Sequence, residues 1–404
     1  MSKPPHDRQL VVLGTSGQTA ALARQLGCRL IHVQQPGGAV EQYVEPNSLR
    51  STYYTADYTA DSFLDFVNQV LRPLRPDAVV SMREDGLVPA AVAGRHLGLV
   101  GTPPEVAETL RDKARMRELL ELKAPHLTVR AAAPASVDQA VEVFSRWGGG
   151  AAILKPRASS GSRGVVLVES VDDLREQGDP ARRILEEYLP GQEYSAESFS
   201  VDGTHQIVAI VEKHTTASFV EVAHVVPAPS LDISTNPVVR DQLIEFLDVV
   251  GLANGPAHTE FKLAPGGIKI IESHNRIGGD GIADLVRLTT GIDLLRWGLG
   301  WQVGLGGPDP RPRPAAAAAA VAFATAPEGV VESVALPELT FPDATVEAVC
   351  ALVGVGDSVT ALTSSSARVG SASASGADAS RVLAAARTLA AGIQVVTRPV
   401  GGSR

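Results

Sequence analysis

Short apolar runs alternate with amphipathic stretches over the first hundred residues. Runs typical of buried strands lie at residues 10–13, 30–33 and 77–82. Helical spacing follows the first run, to about residue 26, and recurs at residues 62–74. Because strands and helices alternate, we expect a parallel, Rossmann-like sheet domain at residues 1–112.

Beyond residue 112 the pattern is mixed, which gives an α/β fold class overall. We expect a small α/β lobe at residues 113–190, beginning with a helix at 111–125, and a larger lobe at 191–305. Glycine and proline at 304–314 indicate a linker. A β-rich lobe at 315–404 follows, with strands predicted at 319–323, 346–353, 367–370 and 392–397 and a helix at 381–391.

Composition narrows the function classes. The 404 residues carry a net charge of −9 and no basic patch interleaved with aromatic residues, so no nucleic-acid partner is expected. Cys28 and Cys350 are too few for a disulfide framework. No apolar run reaches the roughly 18 residues that span a membrane. No secretory h-region follows the first residues, so we expect a cytoplasmic protein.

Two glycine-bearing loops are candidates for phosphate binding. The loop from Gly14 to Gly17 lacks a third glycine at the dinucleotide spacing, which disfavours NAD. The second loop lies between apolar runs at 151–154 and 165–168, which predicts strand, loop and strand. Its backbone N–H groups can turn toward a polyphosphate, and Lys155 adds a positive charge; the loop residues are Ser159, Ser160, Gly161, Ser162 and Gly164. An ordinary hairpin turn is the alternative.

A pair of carboxylates lies a hundred residues further along. Glu260 and Glu272 fall in strand-like runs at 259–263 and 270–276, joined by a turn. On paired strands the two side chains can share one face, and carboxylate oxygens are ligands that Mg²⁺ prefers. Arg276 can reach the same place and stabilise charge on a transferring phosphoryl group. Two glutamates on a polar sheet face are the alternative.

In chain order these segments resemble the ATP-grasp superfamily, in particular carboxylate–amine ligases such as the L-amino acid (dipeptide) ligases. The resemblance runs from about residue 113 to 296. It implies a Rossmann-like domain, an ATP-grasp fold and a small β-rich C-terminal lobe. Lys113 is similar to the first nucleotide-binding lysine, and Lys155 with its loop is similar to the second lysine and phosphate lid. Glu260, Glu272 and Arg276 are similar to the metal and phosphate residues.

Residues 185–195 resemble the hinge that holds adenine and ribose. The resemblance implies that Glu186 accepts from the adenine amino group and that the backbone of Glu187 and Leu189 pairs with the purine edge. It places Glu193 on the ribose hydroxyls. The local pattern by itself predicts a helix end, a turn and a strand at 194–201.

The third metal ligand departs from the family pattern. An asparagine usually lies two residues after the second metal glutamate, and here that residue is His274, followed by Asn275. Imidazole suits zinc, iron or copper better than Mg²⁺. His274 is our candidate, with Asn275 or water as alternatives.

The substrate end of the expected site is less sharply marked. Gly278 and Gly279 begin a turn into a helix, and their backbone is a candidate for holding an oxyanion. Residues 219–227 resemble a segment of dipeptide-forming ligases in which the histidine, here His224, lies near the amino-acid substrate and orients it or takes a proton. Glu84 follows a strand and is a candidate for the substrate amino group. A packed strand histidine and a solvated loop carboxylate are the alternatives.

The resemblance implies activation of a carboxylate by ATP with Mg²⁺, or Mn²⁺, followed by attack of an amine. The partners would be small-molecule carboxylate and amine substrates, amino acids above all, and the assembly a homodimer. Two alternatives remain: a biotin-carboxylase-like or purine-biosynthetic ATP-grasp enzyme, and a catalytically silent nucleotide-binding module.

Overall fold

The computed structural model describes residues 4–14, 19, 21–22, 25–35, 50–307 and 312–399. Four sheets contain the strands of this part of the chain. The strands are β1 Gln9–Leu13, β2 Arg29–Gln34, β3 Arg50–Tyr54, β4 Ala78–Ser81, β5 Ala131–Ala132, β6 Ala152–Pro156, β7 Val166–Val168, β8 Arg183–Glu187, β9 Glu193–Val201, β10 Thr204–Thr215, β11 Glu221–Val226, β12 Gly255–Ala264, β13 Gly267–His274, β14 Ala318–Ala324, β15 Gly329–Ala335, β16 Ala344–Ala351, β17 Ser358–Val359, β18 Gly370–Gly376 and β19 Gln394–Arg398.

The helices lie between and outside these sheets. They are α1 Phe63–Phe66, α2 Arg72–Leu74, α3 Leu87–Leu97, α4 Pro104–Arg111, α5 Lys113–Lys123, α6 Val137–Arg146, α7 Val171–Glu176, α8 Pro237–Val250, α9 Ile282–Thr290, α10 Leu294–Gly300 and α11 Ala379–Gly392. A π-helical segment, Val67–Leu71, joins α1 to α2, so the helix expected at 62–74 is present with an irregular middle.

The first domain is a parallel sheet in the order β3-β2-β1-β4. Alternate residues of β1 enter two apolar clusters, with Leu10 and Val12 in one and Val11 and Leu13 in the other. Burial on both faces explains the continuous apolar runs and confirms the Rossmann-like expectation. Residues 15–18 of the disfavoured dinucleotide loop lie outside the described residues.

The small lobe is a four-stranded antiparallel sheet in the order β5-β8-β6-β7. The expected strand–loop–strand unit is present as β6 and β7. The helix end expected at the start of residues 185–195 is wrong, because Arg183–Glu187 form strand β8 between β5 and β6. Leu185 packs in the apolar core of this lobe, and its neighbour Glu186 points to the opposite face, toward the site.

The largest sheet has eight strands in the order β13-β12-β9-β10-β11-β14-β18-β16. Its last three strands, β14, β18 and β16, come from the expected C-terminal lobe. They join the sheet because β14 pairs with β11. Alanine side chains on β14 and β18 let α11 pack close against this end of the sheet. The strand expected at 367–370 is wrong: Ser365–Ala367 form a short 3₁₀ helix and the strand begins at Gly370.

The fourth sheet has three strands in the order β17-β15-β19 and contains the last strand of the described chain. The α/β fold class with a parallel first domain, two lobes and a β-rich C-terminal region is confirmed. Within the described ranges, no helix is long and apolar enough to cross a membrane.

The start of α5 is held by one side chain. Asp112 accepts hydrogen bonds from the backbone N–H of Ala114 at 2.9 Å and of Arg115 at 3.4 Å. The guanidinium of Arg157, which follows β6, donates to both oxygens of the same carboxylate at 3.0 and 2.7 Å. Asp112 therefore caps the helix that carries Lys113 and ties it to the small lobe.

We predict that Asp112→Ala loosens the first turn of α5. Loss of an N-cap costs about 1 kcal/mol, so hydrogen exchange of the first-turn amides should quicken roughly fivefold. Asp112→Asn keeps a capping oxygen and serves as the matched control. Equal protection of α5 in wild type and Asp112→Ala, measured by exchange and mass spectrometry, would contradict the capping role.

Candidate active site

A cavity of about 280 Å³ lies between the small lobe and the eight-stranded sheet. Most of the residues expected to bind a nucleotide or metal line its wall: Lys113, Lys155, Ser159, Ser160, Gly161, Ser162, Glu186, Glu187, Leu189, Glu193, Glu260 and Glu272. His224, Arg276 and Gly279 line it as well. Glu84, Gly164, His274 and Gly278 are not among its lining residues.

Two lysines from different elements meet carboxylates in this cavity. Lys113 on α5 lies 2.8 Å from Glu272 and donates to the carbonyl of Ser159 at 3.0 Å. Lys155 on β6 lies 2.8 Å from Glu186. Burial lowers the pKa of Lys155. Burial also opposes the charge of Lys113, but the charge and hydrogen bond of Glu272, together with the charges of Glu84 and Glu186, raise the pKa of Lys113. Both ammonium groups are thus aimed into the cavity beside the phosphate loop, residues 159–164.

Glu186 is already fully paired. Lys155 contacts one of its oxygens and Arg117 donates to the other at 2.8 Å, while Arg117 also donates to two carbonyls of β13 at 2.6 and 2.9 Å. Burial opposes ionisation, but these two cations hold the pKa of Glu186 at about 2. Its contacts favour a role in holding Lys155 rather than the expected contact with adenine.

Glu260 and Glu272 are direct register partners on β12 and β13. Glu260 pairs with Lys213 and lies 3.1 Å from His258, and Glu272 lies 3.2 Å from His274. Two facing carboxylates supply the hard oxygen ligands that suit Mg²⁺. In the described ranges no three His, Cys, Asp or Glu side chains are grouped to hold a metal ion.

His274 and Asn275 differ in position. The imidazole of His274 is buried beside Glu272, and this burial lowers its pKa. Asn275 instead lines a second cavity of about 430 Å³, with Met82 and Trp301 in its wall. Of the two candidates for the third ligand, His274 is therefore the one that lies beside Glu272, one of the two carboxylates expected to bind a metal.

The site contains a buried cation that the sequence analysis missed. Lys213 on β10 lies 3.2 Å from Glu193 and 3.3 Å from Glu221, and it also contacts Glu260. Burial lowers the lysine pKa, but the three carboxylates raise it well above its ordinary value. Lys213 therefore links the expected ribose residue Glu193 to the expected metal residue Glu260.

A second missed pair lies beneath Glu260. His258 Nδ1 is 2.6 Å from Glu197, which has no exposed surface. Despite burial, the charges of Glu197 and Glu260 raise the pKa of His258 to about 9, so the imidazole is charged at neutral pH. Period-2 spacing from Glu260 could have indicated His258; no such signal marks Lys213, whose partners come from other strands.

The Arg276 side chain lines the cavity and contacts two groups that do not line it, the Ile277 carbonyl and Glu84. It donates to the carbonyl of Ile277 at 2.8 Å and lies 3.6 Å from Glu84. Burial raises the pKa of Glu84, but His274, Arg111 and Arg276 together keep it below its ordinary value. Glu84 pairs with Arg111 and Arg276, so its contacts favour orienting Arg276 over the expected contact with a substrate amino group.

His224 and Asp280 lie at the same end of the cavity. His224 Nε2 is 3.6 Å from Asp280, and Arg368 from the C-terminal region pairs with both carboxylate oxygens of Asp280 at 2.6 and 2.8 Å. Burial opposes ionisation of Asp280, but His224 and Arg368 hold its pKa far below the ordinary range. The sequence pattern indicated His224 but neither of the two charged residues near it, Asp280 and Arg368.

The two turn glycines have different surroundings. The N–H of Gly278 donates to Glu197 at 3.1 Å, and a Cβ there would lie 2.8 Å from Ile282. Because this N–H is already used, Gly278 does not fit the expected oxyanion role. Gly279 is exposed and faces the cavity.

Two family models match parts of the chain. An ATP-grasp domain model matches residues 150–284, and a model named L-amino acid ligase C-terminal domain 2 matches residues 322–398. A solved structure of an L-amino acid ligase from Bacillus licheniformis is similar with a TM-score of 0.82 at 20% identity, over 97% of this chain and 99% of that one. That likeness shows the fold.

Curated relatives match over shorter stretches. The uncharacterised protein y4rH of Sinorhizobium fredii is 30% identical over 211 residues, 50% of this chain and 43% of y4rH. Alanine–anticapsin ligase of Bacillus subtilis is 23% identical over 308 residues, 68% of this chain and 64% of that protein. The chain thus spans less than two thirds of the length of these relatives. The chain therefore contains an ATP-grasp domain, matched at residues 150–284, and an L-amino acid ligase C-terminal domain 2, matched at residues 322–398.

Proposed function

We propose that this chain is an ATP-dependent carboxylate–amine ligase that joins amino-acid substrates through an acyl phosphate and releases ADP and phosphate. The observation that carries the proposal is the pair of buried lysines, Lys113 and Lys155, which face the carboxylates Glu272 and Glu186 in one cavity. Both matched domains and the likeness to alanine–anticapsin ligase support it.

ATP would lie between the two lobes. Lys113 and Lys155 would exchange their carboxylate partners for phosphate oxygens, and the phosphate loop would cover the polyphosphate. The backbone near Leu189 would hold the purine, while Glu193 would accept from the ribose. Lys262 steadies this hinge, since its Nζ donates to the Leu189 carbonyl at 3.1 Å.

The metal residues fit a hard divalent cation. Glu260 and Glu272 would hold Mg²⁺, with His274 beside Glu272 as the candidate third ligand, once phosphate draws the lysines away. Bound there, Mg²⁺ supplies charge neutralisation for the phosphate oxygens. Mn²⁺ as an alternative metal, a homodimer and a cytoplasmic location stay predictions.

The chemistry would proceed in two steps. A substrate carboxylate oxygen attacks the γ-phosphorus, the bond to the β–γ bridging oxygen breaks, and ADP leaves. The amine nitrogen then attacks the acyl carbon, phosphate leaves, and the amine proton passes to a base. The guanidinium of Arg276, oriented by Glu84, stabilises charge in both steps. His224 lies near enough to the same end to orient the amine substrate or take its proton.

The C-terminal domain match bears on the alternatives. It is the domain of L-amino acid ligases, which favours amide formation over the carboxylating or purine-biosynthetic chemistry of other ATP-grasp enzymes. The cavity is lined by several buried cations paired with carboxylates, which argues against a catalytically silent module. Burying charged side chains is costly, so such a cluster is typical of a site that binds a ligand.

The direct test is ATP turnover by the purified protein with Mg²⁺ and pairs of amino acids, with mass spectrometry of the products. We expect phosphate release that requires two amino acids and an amide product of matching mass. Turnover that depends on bicarbonate, with no amide, would support the carboxylating alternative and contradict the proposal.

We predict that Lys155→Met lowers kcat by about 10²–10³-fold, because it removes a charge aimed at the phosphates. Lys123→Met, at the exposed end of α5, is the matched control and should keep wild-type turnover. Steady-state ADP release measures both variants. A Lys155→Met enzyme with wild-type kcat and KM for ATP would remove Lys155 from the site.

Arg276→Lys is predicted to lower kcat more than it raises KM for ATP. Lysine keeps the charge but loses the planar fork that Glu84 and the Ile277 carbonyl hold. Single-turnover kinetics separate binding from chemistry. If KM for ATP rises while kcat stays constant, Arg276 binds ATP and does not act on the transition state.

A further inference from the structure

A short segment of the C-terminal region enters the nucleotide cavity. We call residues 364–368, which contain the 3₁₀ helix Ser365–Ala367, the latch segment. Among the described residues that line the cavity, Ser365 alone comes from beyond Ile282. The segment therefore brings a distant part of the chain to the cavity that the phosphate loop lines.

The latch segment holds the tip of the phosphate loop. The backbone N–H of Ser365 donates to the carbonyl of Gly161 at 3.1 Å. A Cβ on Gly161 would lie 3.3 Å from the Cβ of Ser365, so the two backbones are close. Ser162, the next residue, donates from its hydroxyl to the carbonyl of Phe219 at 2.8 Å. The loop tip is thus fastened on two sides.

The same serine joins the buried carboxylates. Ser365 Oγ donates to Glu221 at 2.6 Å, and the other oxygen of Glu221 lies 3.3 Å from Lys213. Lys213 in turn contacts Glu193 and Glu260, the proposed ribose and metal residues. Ser365 therefore contacts both the phosphate loop and the network of buried charges around Lys213.

Arg368 anchors the segment at the substrate end. Its Nε donates to the Ser365 carbonyl at 2.7 Å, and its two other nitrogens pair with Asp280. The guanidinium lies 3.8 Å from the centre of the Phe323 ring, a cation–π contact, and the residue is 7% exposed. Asp280 lines the cavity beside His224, so the latch segment spans from the substrate end to the phosphate loop.

We propose that Ser365 and Arg368 are positioning residues that hold the phosphate loop closed over the nucleotide. The proposal rests on the proposed ligase function, in which a closed loop keeps water from the acyl phosphate. Closure then depends on the C-terminal region, because the loop's own residues do not supply the donor that Gly161 accepts.

The first test uses Ser365→Pro and limited trypsin digestion. Proline removes both the N–H and the hydroxyl, and it fits the backbone. Residue 365 begins a 3₁₀ helix, and Ser364 before it is extended at φ −159° and ψ 164°. Arg163 in the phosphate loop is exposed, so the rate at which a fragment beginning at Gly164 appears reports loop opening.

We expect cleavage after Arg163 to be roughly two- to tenfold faster in Ser365→Pro than in wild type. Ser365→Ala keeps the N–H and should show a smaller increase, and Ser380→Ala, at an exposed position of α11 outside the latch segment, is the matched control with the wild-type rate. Cleavage of Ser365→Pro at the wild-type rate, with an unchanged circular dichroism spectrum, would overturn the proposal. This assay needs no ligase activity, so its outcome is independent of the proposed function.

The second test measures coupling. Ser365→Pro and Arg368→Lys should raise KM for ATP and the ratio of ADP to amide product, because a loosened loop admits water to the acyl phosphate. A purely structural role would lower kcat without changing that ratio. If wild type forms no amide while proteolysis still responds to Ser365→Pro, the ligase proposal fails and the latch stands. A ratio unchanged in both variants overturns the coupling role.

Discussion

Buried charges in this site are all held against charges of opposite sign, and the arrangement of the lobes depends on that constraint. An isolated ion removed from water costs several kcal/mol, so each buried lysine has to face a carboxylate. Lys155 and Arg117 share Glu186, Lys113 faces Glu272, and Lys213 faces Glu260. These pairs bridge α5, the small lobe and the eight-stranded sheet. The same pairs leave cations placed for phosphate and carboxylates placed for a metal.

Local patterns correctly predicted the elements in which apolar residues follow one regular spacing. The parallel first domain follows from apolar runs that are buried on both faces. The hairpin of β12 and β13 follows from its turn, and the pairing of Glu260 with Glu272 follows from that hairpin. Strand β8 was misjudged because its short apolar pair, Ile184 and Leu185, fits a helix end as well as a strand.

The missed residues share a physical cause. Lys213, Glu221 and Arg368 each pair with a residue on another strand or lobe, namely Glu260, Ser365 and Asp280. Glu84 and Glu186 were assigned to ligands, yet the structure pairs them with arginine and lysine. A sequence shows that a charge is present, but pairing decides whether it faces a ligand or another side chain. Pairing between distant strands also decides where the C-terminal region lies. Its strands continue the large sheet because β14 pairs with β11.

A crystal structure with Mg²⁺ and a non-hydrolysable ATP analogue tests the central claim most directly. The account predicts that Lys155 leaves Glu186 and Lys113 leaves Glu272 to contact phosphate oxygens, with Glu260 and Glu272 turned to the metal and the loop at 159–164 over the phosphates. An analogue bound elsewhere, or bound here with both lysines still on their carboxylates, would contradict it.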